Sequence, residues 1–231
     1  MYRDDPYGQG NRDVFTSAFK GQTNSIRFAP DQPDYSSEVA EISRAVDTFG
    51  ANDKTVIIAV IWEAQWVNLL SHAKEYPNLT KVKWIASEAI TNPGILPPKS
   101  PADLGDYLIQ VDAVGTTAHF YTNPTAERLL DKLKAKFGQS VATDPLYMYD
   151  AVSVAMLSVL VAGKYEGEAI AKAIPSVSEH YYGLTGWKLL DENGDLVFQS
   201  YDLVKLSKTG QDFSWKIVDS WDPSTGIQTK S

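Results

Sequence analysis

The segment Tyr2-Arg3-Asp4-Asp5-Pro6-Tyr7-Gly8-Gln9-Gly10 constrains this chain more than any other, because it has the make-up of a turn from a strand end into a helix. Asp, Pro and Gly at these offsets favour a loop, and Asn11 to Phe19 then has helical character. A turn of this kind requires a strand in front of it, and almost none precedes Tyr2. The chain is therefore expected to enter its fold part-way, without the first strand of the unit that the turn belongs to.

Short strands and helices alternate after this turn. Ser25 to Phe28 reads as a strand and Glu38 to Phe49 as a helix, with Val39, Ile42, Ala45, Val46 and Phe49 on one face. Gly50 stands where a helix-ending glycine belongs. Lys54 to Trp62 (KTVIIAVIW) is a near-continuous apolar run, the mark of a parallel strand covered on both faces. Trp62, Trp66, Leu69, Leu70 and Ala73 recur at helical spacing, and Lys81 to Ala86 is the next strand. The order predicts an α/β fold with a doubly wound parallel sheet. Right-handed crossovers place the loops after Arg3, Ile61 and Ala86 at the carboxyl ends of the strands, the edge where open α/β sheets bind ligands.

Thr91 to Gly105 is rich in Pro, Gly and Ser and reads as a loop. Asp112 to Phe120 is expected as a strand. Asn123 caps a helix with Pro124 at its first position, a buried stripe of Ala126, Leu129, Leu130, Leu133 and Phe137, and a stop at Gly138. Leu146 to Ala162 reads as a buried helix, its apolar part Val152 to Ala162 being too short to span a bilayer. Glu168 to Ile174 is a short helix. Gly186 to Leu190 and Leu196 to Phe198 flank Asp191-Glu192-Asn193-Gly194-Asp195, a hairpin signal. Strands at Asp202 to Leu206 and Phe213 to Val218 complete the chain.

Composition removes several functions. The net charge of −8 argues against nucleic acid and against anionic membrane surfaces. There are no cysteines, so disulfides, thiolate metal sites and a Cys nucleophile are excluded. His72, His119 and His180 form no HxH or HExxH pair, so no metal site and no cofactor is expected. Asp191, Asn193, Asp195 and Asp202 are faintly like a calcium loop, but Leu196 stands where that loop needs Gly. Neither a P-loop nor a third glycine after Gly8-Gln9-Gly10 is present. No secretory signal is visible at the charged N-terminus. An exported parent would carry its signal or anchor in a segment outside this chain.

Four landmarks occur together and in order: Asp5-Pro6-Tyr7-Gly8-Gln9-Gly10; Asp34-Tyr35-Ser36; Pro145 with Tyr147, Tyr149, Asp150 and Ala151; and Gly183-Leu184-Thr185-Gly186 followed by Asp191-Glu192-Asn193-Gly194-Asp195. In order and spacing over nearly the whole chain they resemble the type 1 periplasmic binding proteins of branched-chain amino-acid ABC transporters. The resemblance implies a two-lobe α/β architecture, N-terminally truncated here. Residues 1–115 would be lobe two lacking its first strand, 116–199 the remainder of lobe one, and 200–231 C-terminal return strands.

The same resemblance implies three ligand-facing residues. Tyr7 matches the tyrosine of the first turn. Trp62 stands at the aromatic position after the next long strand. Glu88 matches a carboxylate that pairs with a ligand ammonium. The residues support this independently, since all three follow predicted strands at one sheet edge, and an aromatic wall with one carboxylate suits a compact ammonium-bearing ligand. Each also has a plainer reading: Tyr7 as a turn tyrosine packed on its helix, Trp62 as core beside Trp66, Glu88 as a helix-capping or solvated loop carboxylate. Glu63 and Ser87 are secondary candidates.

The implied function is non-catalytic solute binding for an ABC importer in the periplasm or outside the cell. The ligand would be an amino acid or related small polar amine, and the partner a membrane permease. Alternatives are a ligand-sensing receptor or amide-type regulator of the same fold, an incomplete product without binding function, and an α/β enzyme, against which stands the lack of any nucleophile–base–orienter set. With lobe one incomplete, bare sheet edges and an apolar helix predict self-association.

Overall fold

A computed structural model describes residues 1–119, 123–137 and 144–229. The expected strand end at Phe120 and the helix stop at Gly138 lie outside those residues. The chain divides into two units: Met1–Thr117 with Tyr201–Trp221 and the residues from Ile227 form one, and Ala118–Ser200 with Asp222–Gly226 the other.

The first unit opens with β1 (Tyr2–Arg3) and α1 (Pro6–Ala18). The helix starts earlier than the expected Asn11. Asp5 is its N-cap, accepting a hydrogen bond from the Gly8 N–H at 2.8 Å, and Pro6 fills the first helical position, where no N–H is needed. The Asp and Pro that suggest a loop are thus the helix's own start signal. Then come β2 (Arg27–Phe28), α2 (Ser36–Phe49), β3 (Val56–Ala59), α3 (Glu63–Ala73) and β4 (Lys83–Ala86). Gly50 ends α2 with φ +91°, as a helix-terminating glycine should. The Pro-rich stretch read as a loop holds 3₁₀ turns at Glu88–Thr91 and Pro93–Ile95 and then α4 (Ala102–Gln110). Leu104 and Leu108 lie on one helical face and are buried, a period hidden by the prolines before it.

The strands β1 and β2, and β3 and β4, pair in parallel. A parallel bridge between Tyr2 and Val60 joins the two pairs. β4 pairs in parallel with β5 (Val114–Ala118), and the main sheet ends in β8 (Tyr201–Thr209), β9 (Asp212–Asp222) and β10 (Gly226–Thr229), in the order β10-β9-β8-β5-β4-β3. Because β8 and β9 are antiparallel, the sheet is parallel-rich and mixed, not wholly parallel.

One face of this sheet is well covered. Ile57, Ala59, Trp84 and Ala86 share a single core cluster with Val39, Ile42 and Val46 of α2, Trp66, Leu69 and Leu70 of α3, and Leu104 and Leu108 of α4. Each fully buried aliphatic of this kind contributes about 1.5–3 kcal/mol. The alternate positions fare differently: Val56 is 41% and Ile85 38% exposed. The apolar run of β3 is therefore not covered on both faces as its composition suggests.

The second unit is largely helical, with α5 (Pro124–Phe137), α6 (Asp144–Ala162) and α7 (Gly167–Glu179), then the small antiparallel pair β6 (Tyr182–Gly183) and β7 (Gly186–Trp187). Asn123 caps α5 as expected, taking the Ala126 N–H at 2.9 Å. Of the expected stripe only Ala126 is buried, and Phe137 is 60% exposed. α7 runs past the expected Ile174 with Pro175 inside it. The hairpin signal is met in miniature: Leu190 bridges Leu196 antiparallel, and Asp191 Oδ1 accepts from the Asn193 and Asp195 N–H groups. That carboxylate is thereby turned to backbone, and among the described residues no group of three or more acidic, His or Cys side chains could hold a metal.

α6 departs most from expectation. It is 19 residues long, enough by length and composition to cross a membrane, and most of it is not buried: Met156 is 65% and Leu160 75% exposed. Its fixed side carries Leu146, Asp150, Val154 and Ser158. Asp150 accepts from the Leu184 and Thr185 N–H groups at 2.7 and 2.8 Å and from the Thr185 hydroxyl at 2.7 Å. Lys188 Nζ lies 3.5 Å from the same carboxylate, with both side chains nearly inaccessible. A Cβ on Gly183 would come within 2.3 Å of Asp150 Oδ1, so glycine is needed there for the turn to close on the carboxylate. Two of the four sequence landmarks are thus the two halves of one structural lock.

Asp150→Ala strands a buried lysine and two backbone donors, and should cost about 3–5 kcal/mol in denaturant unfolding. Leu160→Ala on the same helix should change stability by no more than about 0.5 kcal/mol. Equal losses for the two would mean that the exposed face of α6 is in fact packed.

Candidate functional site

Parallel pairing brings the carboxyl ends of β1, β3 and β4 to one edge, and each of the three primary candidates stands just beyond one of them. Tyr7 lies in the first turn of α1, held there by the Asp5 cap. Asp5 also receives Arg3 Nε at 2.7 Å. The Gly8 amide and then the Arg3 guanidinium hold the Asp5 carboxyl below its ordinary value, so the cap stays ionised. Gly8 is where α1 meets β1: a Cβ there would sit 2.2 Å from the Arg3 carbonyl oxygen. Only a residue without a side chain lets the helix start this close to the strand.

Trp62 is the N-cap of α3. Its N–H donates to Gln65 Oε1 at 2.9 Å, and Gln65 Nε2 reaches back to the Pro30 carbonyl at 2.9 Å, which fixes the backbone from which the indole projects. The indole is 45% exposed, whereas Trp66 one turn on is fully buried. The core reading of Trp62 does not hold: the helical period that links the two tryptophans breaks at the cap. Glu88 opens the 3₁₀ turn after β4 and is exposed.

The three side chains meet. The Tyr7 hydroxyl donates to the Glu88 carboxylate, 2.9 Å from Oε1 and 3.0 Å from Oε2. The Tyr7 and Trp62 ring centroids are 5.3 Å apart at a 37° tilt. Burial first, and then the negative charge of Glu88, push the Tyr7 phenol up to about 12. Glu88 therefore faces a neutral donor and keeps acceptor capacity beyond that one hydrogen bond.

Arg3, which no sequence pattern singles out, belongs to this group, its guanidinium carbon 5.7 Å from the Trp62 ring centroid. Its place as the last residue of β1 is the available signal. The secondary candidates are placed differently. The Ser87 hydroxyl donates to the Ile61 carbonyl at 3.2 Å and its N–H to the Ala59 carbonyl at 3.1 Å, tying the ends of β3 and β4 together. Glu63 lies against Gly94, where a Cβ would fall 1.3 Å from its Oε1. Chemically the edge offers one carboxylate, a phenol already committed to it and an accessible indole, a set suited to a small cation with apolar substance.

Solved structures of similar shape bear on this geometry. The leucine-binding protein LivK of Thermotoga maritima matches over 96% of this chain and 59% of its own, with a TM-score of 0.65 and 19% identity. An ABC transporter substrate-binding protein of Sphaerobacter thermophilus matches over 95% of this chain and 58% of its own, with a TM-score of 0.66 and 16% identity. The chain spans about three-fifths of the length of these two proteins. No protein-family model and no curated protein matches the sequence. Over the length of this chain the fold is shared with these two substrate-binding proteins.

The Tyr7–Glu88 pair has a titration signature. The Tyr7 phenol ionises near 12 against an ordinary 10.0, so the stability owed to its neutral form is complete below pH 10 and is lost as pH rises toward 12. The ultraviolet titration difference between wild type and Tyr7→Phe isolates this phenol. Glu88→Gln should move it down, and an unmoved titration would mean that the two groups are not coupled.

Proposed function

We propose that this chain supplies the ligand-bearing lobe of a non-catalytic, extracytoplasmic solute-binding protein that serves an ABC importer. The Tyr7–Glu88–Trp62 cluster at the strand ends carries this reading. Glu88 accepts the ammonium of an amino acid or a related small amine. Trp62 and Tyr7 wall its apolar part, and Arg3 lies against the indole. The unit containing residues 1–117 is the ligand-bearing lobe, and the helical unit belongs to the other lobe. A membrane permease is the protein partner, and the periplasm or cell exterior the place of action. The names of the two similar structures agree with this, one being a leucine-binding protein and the other a transporter's substrate-binding protein. The exposed face of α6, with Met148, Val152, Met156 and Leu160, is the surface through which copies of the chain would associate.

Titration with L-amino acids and small amines, followed by tryptophan fluorescence and calorimetry, tests the site. At least one amine should bind saturably and quench Trp62. Glu88→Gln should weaken that binding by about 1–3 kcal/mol, the scale of a charge-assisted hydrogen bond. A Glu88→Gln variant that binds every such ligand as well as wild type would overturn the assignment.

A further inference from the structure

The Trp62 indole stands at the candidate site with its backbone fixed and its ring still to be placed. Gln65 accepts the Trp62 N–H and donates to the Pro30 carbonyl, which also accepts the Tyr35 hydroxyl at 3.1 Å. These bonds set the direction of the Cα–Cβ bond and leave χ1 and χ2 open. The residue is 45% exposed, so close packing does not choose its rotamer as it does for the fully buried Trp66. Two side chains meet the ring with defined geometry. One is Tyr7, with 5.3 Å between centroids, and the other is Arg3, whose guanidinium carbon lies 5.7 Å from the indole centroid.

Arg3 is firmly anchored. It belongs to β1, whose backbone is bonded on both sides: Arg3 N–H donates to the Val60 carbonyl at 3.2 Å, and the Tyr2 and Asp4 N–H groups donate to the Ile26 and Phe28 carbonyls at 2.9 Å each. Its side chain is only 16% exposed, and its Nε donates to Asp5 Oδ2 at 2.7 Å. The other oxygen, Asp5 Oδ1, accepts the Gly8 N–H at 2.8 Å. One carboxylate is thus divided between the cap of the helix that carries Tyr7 and the cation that lies against Trp62. A charge-assisted bond at Nε fixes the plane of the guanidinium as well as its distance.

A guanidinium suits this place for two reasons. It is planar and delocalised, so it meets a ring while one N–H stays committed to a carboxylate, which an ammonium on a flexible stem does less well. At 5.7 Å it also lies inside the range of about 6 Å over which a cation is attracted to an indole. The plainer reading, in which Arg3 only neutralises Asp5, asks nothing of Trp62 and leaves the rotamer of the indole without a cause. Arg27 on β2 offers the contrast. It is an exposed arginine that pairs with Asp4 at 3.6 Å.

We propose that Arg3 is a positioning residue of this site: clamped by Asp5, its guanidinium holds the Trp62 indole in the rotamer that meets Tyr7, so that the aromatic wall stands before any ligand arrives. Neither Arg3 nor Asp5 has to touch the ligand for this. A wall already in place spares the ligand the cost of ordering a rotamer-rich side chain, and the saving appears as affinity. The effect on affinity rests on the solute-binding reading above. The effect on the indole does not, and it is read without ligand.

Time-resolved tryptophan anisotropy of the ligand-free 231-residue chain reads that motion. The Trp62 signal is the difference between each variant and the same variant carrying Trp62→Phe, which cancels the other tryptophans. Arg3→Met keeps the length of the side chain and loses the charge. It should raise the amplitude of fast Trp62 motion about twofold, as for a ring released to further rotamers. Asp5→Asn keeps a good N-cap while weakening the clamp, and should raise the same amplitude by less. It decides the matter if Arg3→Met does not fold by circular dichroism. Arg27→Met should change nothing. Calorimetry with L-leucine is the second arm: Arg3→Met should weaken binding about fivefold through lost preorganisation. Glu88→Gln should weaken it too, yet leave the ligand-free Trp62 motion as in wild type. If L-leucine and other amines fail to bind the wild-type chain, the solute-binding reading falls, and the anisotropy still decides on Arg3. Wild-type Trp62 motion in the folded variants, or wild-type affinity in an Arg3→Met chain whose indole has loosened, would overturn the proposal.

Discussion

The parallel register of β1, β3 and β4 is the constraint on which the candidate site depends. Parallel strands end on the same side, so the chain must leave each at one edge and turn back as a helix. Here the turns are very short. Asp5 caps α1 two residues after β1 ends, Trp62 caps α3 three residues after β3, and Ser87 stands next to the end of β4. Short turns leave little conformational freedom, and so the side chains beyond them are placed by backbone geometry and not by their own mutual attraction. Gly8 is the tightest point of the arrangement, where any side chain would strike the backbone of β1.

Electrostatics then acts on a frame already set. The phenol of Tyr7 and the carboxylate of Glu88 come from residues 81 positions apart and meet at hydrogen-bond distance. A neutral donor against an ionised acceptor is a stable combination, because burial and the neighbouring charge both oppose ionisation of the phenol. Arg3 is shared between the Asp5 carboxylate and the Trp62 ring.

Much of this is legible in the residues alone, for identifiable reasons. Strand ends are legible because KTVIIAVIW and KVKWIA are short apolar runs with clear stops, and equal handedness of crossovers sends their loops to one side. That rule agrees with Tyr7, Trp62 and Glu88, which the resemblance singles out, in setting all three beyond strand ends at one edge. The start of α1 misleads because Asp and Pro serve loops and helix N-termini alike, and only the capping bond from the Gly8 N–H separates the two. α4 escapes notice because prolines before a helix mask the period inside it. Arg3 does so because its role rests on a contact with Trp62, far along the chain, which no local pattern encodes.

Burial is the least legible property, and the departures share one direction. β3, α5 and α6 are each less covered than their apolar patterns predict, with Val56 at 41%, Phe137 at 60% and Leu160 at 75% exposure. Apolar periodicity records which surface a segment is fit to bury, whereas coverage depends on which other segments reach it. α6 shows the difference within one helix. Its fixed side is set less by apolar packing than by Asp150, whose carboxylate is saturated by a turn 34 and 35 positions away. A buried, fully bonded carboxylate defines one orientation of the helix, because any rotation leaves a charge without partners. The apolar residues around it impose no such choice, since α6 is apolar nearly all round. Orientation in this unit thus comes from a polar lock, and the remaining apolar surface of α6 lies wherever that lock leaves it.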